Sequence, residues 1–319
     1  MRRTTRTTTL LAASLLLAGG ALAACGSDDS GSDGGGDPLS GGGGDGDAGT
    51  ITVGSANFPE NELLMQMYGQ ALEDAGVEVQ YQPNIGAREV YLEAFENGEI
   101  DLLPEYNGAL LSYLLAPDLV PEDVTDSEQV YEALQDVLPE GSETLPQSEA
   151  EDKDTLTVTP ETAEEFDLES IADLEPVADQ LVVGAGPEFE ERFQGLVGLQ
   201  EVYGVEFESF RSLDAGGPLT KEALANGDID VANIFSTDSA ITENDWVVLE
   251  DPENLYLAQN IVPLIQSEAL TDEAEEALNA VSEALTTENL TEYLAMVQLE
   301  QQDPSVVAEQ FLTDEGVLG

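Results

Sequence analysis

From Ile51 onward, short apolar runs alternate with amphipathic helical stretches, and that rhythm restricts the chain to an α/β fold. Ile51 to Gly54 reads as a strand, and Glu60 to Ala75 as a helix with Leu63, Leu64, Met67, Ala71 and Leu72 on one face. Val77 to Tyr81 alternates as a strand, Arg88 to Asn97 has helical spacing, and Ile100 to Leu103 has the apolar run of a buried strand. Later strands are expected at Leu156 to Val158, Gln180 to Val183, Val205 to Phe210, Ile229 to Ala232, Trp246 to Leu249 and Ile261 to Ile265. Helical segments separate them, and the C-terminal stretch is helical throughout. Alternation of this kind implies largely parallel sheets flanked by helices.

One motif occurs twice. Asn97-Gly98-Glu99-Ile100-Asp101 returns 129 residues later as Asn226-Gly227-Asp228-Ile229-Asp230. Each copy closes a helix with Asn-Gly, where glycine supplies the left-handed conformation of a helix stop. Each then enters an apolar strand and leads to an aromatic residue beyond it, Tyr106 in one case and Phe235 in the other. Ligands of open α/β sheets sit outside the carboxyl ends of the strands. Two such units imply two similar lobes, each offering a ring to a shared crevice. Helix-Gly-strand is also common grammar in α/β proteins.

The N-terminus reads as an address. Arg2, Arg3 and Arg6 precede a short apolar run from Leu10 to Leu22, and Leu22-Ala23-Ala24-Cys25-Gly26 ends it in small residues. This is the pattern of a cleaved signal, residues 1–24, with the ending of a bacterial lipobox. Cys25 is therefore expected to carry a lipid, and the Gly/Ser/Asp-rich stretch 25–49 to act as a flexible tether. Its random-coil reach is roughly 25–30 Å.

Composition narrows the chemistry further. Cys25 is the one cysteine and there is no histidine, so cysteine–histidine metal sites and Ser-His or Cys-His nucleophiles are excluded; no metal and no cofactor are expected. Against 67 acidic residues, the chain beyond the signal keeps Arg88, Lys153, Arg192, Arg211 and Lys221. Such a surface repels nucleic acid and anionic lipid and suits high ionic strength. Any basic residue in a cleft is then conspicuous.

Five segments carry a family resemblance: Ile51 to Asn61 (ITVGSANFPEN), Gly86 to Leu110 (GAREVYLEAFENGEIDLLPEYNGAL), Pro187 to Gly204 (PEFEERFQGLVGLQEVYG), Phe235 to Ser239 (FSTDS) and Asn260 to Leu264 (NIVPL). In this order they resemble the substrate-binding proteins of glycine betaine/choline/osmoprotectant ABC transporters. The resemblance implies a two-lobed periplasmic-binding-protein fold of type II with the ligand cleft between lobes. Residues 50–151 and 257–319 would form lobe I and residues 152–256 lobe II, with two hinge crossings. It implies a receptor, not an enzyme, that captures a small quaternary-ammonium or zwitterionic osmolyte by lobe closure. As a lipid-anchored monomer on the outer face of the cytoplasmic membrane, it would deliver the solute to a permease with a cytoplasmic ATPase. A sensor on the same scaffold, or an enzyme using carboxylate pairs, are the rival readings.

By the same resemblance, Tyr106 and Phe235 would form part of an aromatic cage around the cation, and Arg192 would hold an anionic end. The alternative for Arg192 is a salt bridge to Glu190 or Glu191. Asp154 and Gln259 fall where further cage tyrosines are usual, while Ala56 and Ala109 replace a lysine and a threonine that bind carboxylate. Asp154 offers direct charge where a ring is lost. Asn57 and Glu60 open a helix, as ligand contacts or as caps. Glu105 beside Tyr106 either touches ligand or orients its turn. Arg88 at a helix start is expected to pair with an acid, Asp238 to cap a helix and Trp246 to lie in the core. Gly184-Ala185-Gly186 lacks the other features of a phosphate loop.

Overall fold

The structure is a computed structural model that describes residues 49–115, 124 and 126–319. Cys25, the signal and residues 25–48 of the tether lie outside the described residues.

Two five-stranded sheets organise the chain. The first half contributes β1 (Ile51–Gly54), α1 (Pro59–Asp74), β2 (Val79–Gln82), α2 (Arg88–Glu96), β3 (Leu102–Tyr106), α3 (Asn107–Leu114), α4 (Ser127–Gln135) and β4 (Ser142–Thr144). The second contributes β5 (Asp154–Val158), α5 (Pro160–Phe166), β6 (Val182–Ala185), α6 (Gly198–Tyr203), β7 (Ser209–Ser212), α7 (Pro218–Ala225), β8 (Val231–Phe235), α8 (Ser239–Glu243) and β9 (Val247–Val248). The chain then returns through β10 (Ile261–Gln266) and ends in α9 (Asp272–Ala284), α10 (Thr287–Gln298) and α11 (Pro304–Asp314). Strand order is β2-β1-β3-β10-β4 in one sheet and β7-β6-β8-β5-β9 in the other. Among the described residues no helix is long and apolar enough to cross a membrane.

The sheets are mixed, which corrects the expectation of mostly parallel ones. β1, β2 and β3 are parallel, but β10 runs antiparallel to both β3 and β4; β5 likewise opposes β8 and β9. The cause is the return of the chain between lobes. Strands β3 and β8 end at the cleft, so β10 and β5, which enter their sheets from it, must point the other way. The registers Ile261↔Tyr106 and Asp154↔Phe235 put entry beside exit. The crossings also pair with each other through a Glu151–Asn260 bridge.

The repeated motif does the same work in each lobe. Gly98 and Gly227 have φ of 71° and 69°, the left-handed stop expected of them. Asp101 Oδ2 accepts from Thr52 N at 2.8 Å, and Asp230 Oδ2 accepts from Val182 N at 2.8 Å. Each aspartate thus clasps the parallel strand next to its own, β1 or β6, and β3 and β8 begin one residue after it, at Leu102 and Val231. The expected starts at Ile100 and Ile229 were two residues early because the isoleucines pack as core before pairing begins. Each lobe has its own apolar core. α1, α9, α10 and α11 cover one face of the first sheet, and Leu156, Val183, Val231 and Tyr256 lie at the centre of the second. Trp246 is buried, as expected.

Candidate functional site

The carboxyl ends of β3 and β8 face one another across a cavity of about 60 Å³. Tyr106 is the last residue of β3 and Phe235 the last of β8. Between them stands Phe58, the residue before α1, with ring centroids 5.0 Å from Phe235 and 6.0 Å from Tyr106. Proline at the first turn of α1 suits a helix start, and the preceding Phe58 is extended, which turns its ring into the cleft. Asn61 fixes that loop, accepting from Ala56 N at 2.7 Å and donating to the Pro104 carbonyl at 3.0 Å. Gly216 lies against Phe235 at φ 60°; a Cβ there would sit 2.9 Å from the ring.

Each ring is held differently. Tyr106 donates its hydroxyl to Glu60 Oε1 at 2.7 Å and is 4% exposed. The other Glu60 oxygen accepts from the Thr237 hydroxyl of the opposite lobe. Asp152 accepts from Thr237 N at 3.1 Å and lies close enough to Glu60 for the two carboxyls to act on each other. Burial pushes the Glu60 carboxyl up despite the hydroxyls of Thr237 and Tyr106. Burial, and then Glu60 itself, push Asp152 well above the usual carboxylate range. Both carboxyls are therefore pushed toward their neutral forms where the two crossings meet. Burial also raises the Tyr106 phenol, so it stays a donor.

The basic residues nearest the cavity are already engaged. Arg88 donates to both oxygens of Glu105, at 3.1 and 3.0 Å, with Tyr91 donating to the same carboxylate at 2.8 Å. Burial opposes the Arg88 charge, but Glu105 outweighs it and keeps the guanidinium protonated. Arg192 grips Glu89 of α2 through Nε and Nη2, both at 2.8 Å, an ion pair between lobes at the cleft mouth. Burial raises Glu89, yet Arg192 more than offsets this and lowers it. Among the described residues its ion-pair partner is Glu89, not the neighbouring Glu190 or Glu191. The remaining charges on the wall are Asp154, Glu188 and the pair at Asp152. The cavity is therefore an electronegative space walled by rings, suited to a small organic cation.

The residues expected from the sequence divide accordingly. Tyr106, Phe235, Asp154, Asn57, Gln259 and Arg192 all line the cavity, as do Ala56 and Ala109. Asp154 and Gln259 meet directly, Gln259 Nε2 donating at 3.3 Å, while Asn233 donates to the other aspartate oxygen at 3.0 Å. Glu105 lies behind the wall instead: it is fully buried, and both oxygens are taken by Arg88, Tyr91 and the Tyr106 N–H. Its role is to orient the turn. Glu60 also stands behind the wall, as the prop of Tyr106. Asp238 caps α8 and pairs with Lys221 at 2.7 Å. Phe58, Tyr91 and Phe189 were missed. Phe58 had a visible signal, an aromatic before proline at a helix start; Tyr91 and Phe189 had none comparable.

Comparison with known proteins agrees with this geometry. The chain is 27% identical over 284 residues to a glycine-betaine-binding protein of Pseudomonas aeruginosa, covering 85% of this chain and 89% of the relative. It is 25% identical over 270 residues to the carnitine transport binding protein OpuCC of Listeria monocytogenes, covering 82% and 86%. A solved glycine betaine/carnitine/choline ABC transporter structure superposes with a TM-score of 0.65 at 22% identity, over 84% of this chain and 100% of that one. Residues 49–314 match the profile of the substrate binding domain of ABC-type glycine betaine transport systems, and the chain belongs to that family.

Proposed function

We propose that the protein captures a small quaternary-ammonium osmolyte, or a zwitterion with such a head, between its lobes and presents it to an ABC permease driven by a cytoplasmic ATPase. The observation that carries this reading is the cavity itself. Phe58 and Tyr106 from the first sheet's side and Phe235 from the second's surround a space whose unpaired charges are negative. A desolvated cation against each ring gains up to about 2 kcal/mol. Micromolar capture needs about −8 kcal/mol, within reach of three rings, carboxylates and shape exclusion. No nucleophile is required, and the site works as a receptor rather than an enzyme.

Lobe I is assigned to residues 50–151 and 257–319 and lobe II to 152–256, with the paired crossings as hinge. Cys25 is assigned as the lipid-bearing residue of a monomer outside the cytoplasmic membrane, its tether keeping the receptor near the permease. Calorimetric titration of the purified protein with choline, glycine betaine, carnitine, proline betaine and ectoine tests the ligand class. Binding of at least one quaternary ammonium compound is expected. Silence from all five would refute the reading.

A further inference from the structure

Three buried side-chain polar atoms have no hydrogen-bond partner among the described residues: Gln194 Nε2, Tyr256 Oη and Asn279 Oδ1. Of the three residues, Gln194 alone lines the cavity. It is 8% exposed, so its amide has little access to bulk water. An unpaired buried donor costs about 1–3 kcal/mol, which is hard to sustain unless something fills it in the working state.

Its position is built rather than incidental. Gln194 sits in a kinked turn with φ −75° and ψ 23°, followed by Gly195 at φ −137° and ψ −140°. A Cβ on Gly195 would lie 1.9 Å from the Phe189 carbonyl oxygen, so the turn folds tightly onto the segment that brings Phe189 to the same wall. Gly195 N also donates to Arg192 O at 3.1 Å. The kink fixes the amide beside the aromatic space. Arg192, two residues earlier, has its Nε–Nη2 edge committed to Glu89.

We propose that Gln194 is a specificity-determining residue that donates a hydrogen bond to an oxygen of the bound solute, so that the cavity selects quaternary ammonium compounds bearing an oxygen acceptor over purely hydrocarbon ones. This rests on the cation-binding reading above. A site that holds a buried donor for a ligand oxygen discriminates against a ligand lacking it far more than a hydrophobic pocket discriminates one methylene. The Asp154 carboxylate cannot fill this role, because a carboxylate accepts rather than donates, as it does from Asn233 and Gln259.

The test uses choline and ethyltrimethylammonium, which share a cationic head and differ by one hydroxyl. Wild-type protein is expected to bind choline at least tenfold more tightly. In Gln194→Met, of similar size and without the donor, the two affinities should converge to within about twofold through weakening of choline alone. Thermal melting of the variant checks that it is folded, and the wild-type ratio needs no variant. Equal binding of the two compounds by wild-type protein, or an unchanged ratio in a folded Gln194→Met, overturns the role of Gln194 while leaving cation capture intact. Failure of both compounds and of the five osmolytes to bind overturns cation capture as well.

Discussion

The two lobes deliver a ring to the cleft by the same local device, yet they secure it by different physics. In the first, Tyr106 is held by a polar network: its hydroxyl on Glu60, its N–H on Glu105, and Glu105 in turn on Arg88 and Tyr91. In the second, Phe235 has no polar handle and is placed by the bare backbone of Gly216 and the face of Phe58. A polar network makes one wall rigid and intolerant of partial loss, because any member removed leaves another buried and unpaired. Packing makes the other wall tolerant of change in stability but dependent on shape. The first wall should therefore fail as a fold, and the second as a binding surface.

The largest effect is expected from Arg88→Met. It leaves the fully buried Glu105 without its ion-pair partner, and loss of one partner of such a pair costs about 3–5 kcal/mol. Thermal or denaturant unfolding reads this directly, and adding Glu105→Gln should recover part of the loss. Full stability in Arg88→Met alone would erase the distinction between the walls.

Next comes Phe235→Ala, expected to weaken choline by up to about thirtyfold, corresponding to one cation–π contact of about 2 kcal/mol. Its unfolding midpoint should move less than that of Arg88→Met. Calorimetry together with melting separates the two consequences.

The Glu60–Asp152 pair sharpens the comparison through pH. Glu60 and Asp152 have raised folded-state pKa values, so the native protein binds more protons than the unfolded chain across the window above the usual carboxylate range. The pair's contribution to stability is full below the unfolded pKa values and is lost as pH rises through the folded ones. Glu60→Gln keeps an acceptor for Tyr106 while removing the Glu60 ionisation. Its stability relative to wild type should therefore increase with rising pH, measured by paired melts from pH 5 to 8. A constant difference would contradict the raised pKa values of the pair.

The smallest effect belongs to Glu89→Gln. The Arg192–Glu89 pair lies partly exposed at the cleft mouth, and such pairs contribute about 0–1 kcal/mol. A slight loss of affinity at low ionic strength should vanish in molar salt, where charges are screened within about 3 Å.

Much of this site was legible because its parts are local. The Asn-Gly-acid-Ile-Asp repeat marked both lobes and led to Tyr106 and Phe235, and the scarcity of cations directed attention to Arg88 and Arg192. What escaped notice depends on distant contacts. The Glu60–Asp152 pair joins residues far apart in sequence, and neither neighbourhood reveals the other. β4 is three polar residues long and has no apolar run to betray it. The partner of Arg192 lies in the opposite lobe, so neighbouring Glu190 and Glu191 were the natural but unused candidates. The antiparallel entry of β5 and β10 follows from the double crossing, which composition cannot register.

Capture of a positive charge by a ring-walled, electronegative cavity is tested most directly by exchanging the charge and nothing else. Choline and 3,3-dimethylbutan-1-ol share shape and hydroxyl, and differ in a quaternary nitrogen replaced by carbon. Calorimetric titration of both into wild-type protein at one pH and salt concentration is expected to show choline binding and at least a hundredfold weaker binding of the alcohol. Comparable affinity for the two would contradict recognition by charge.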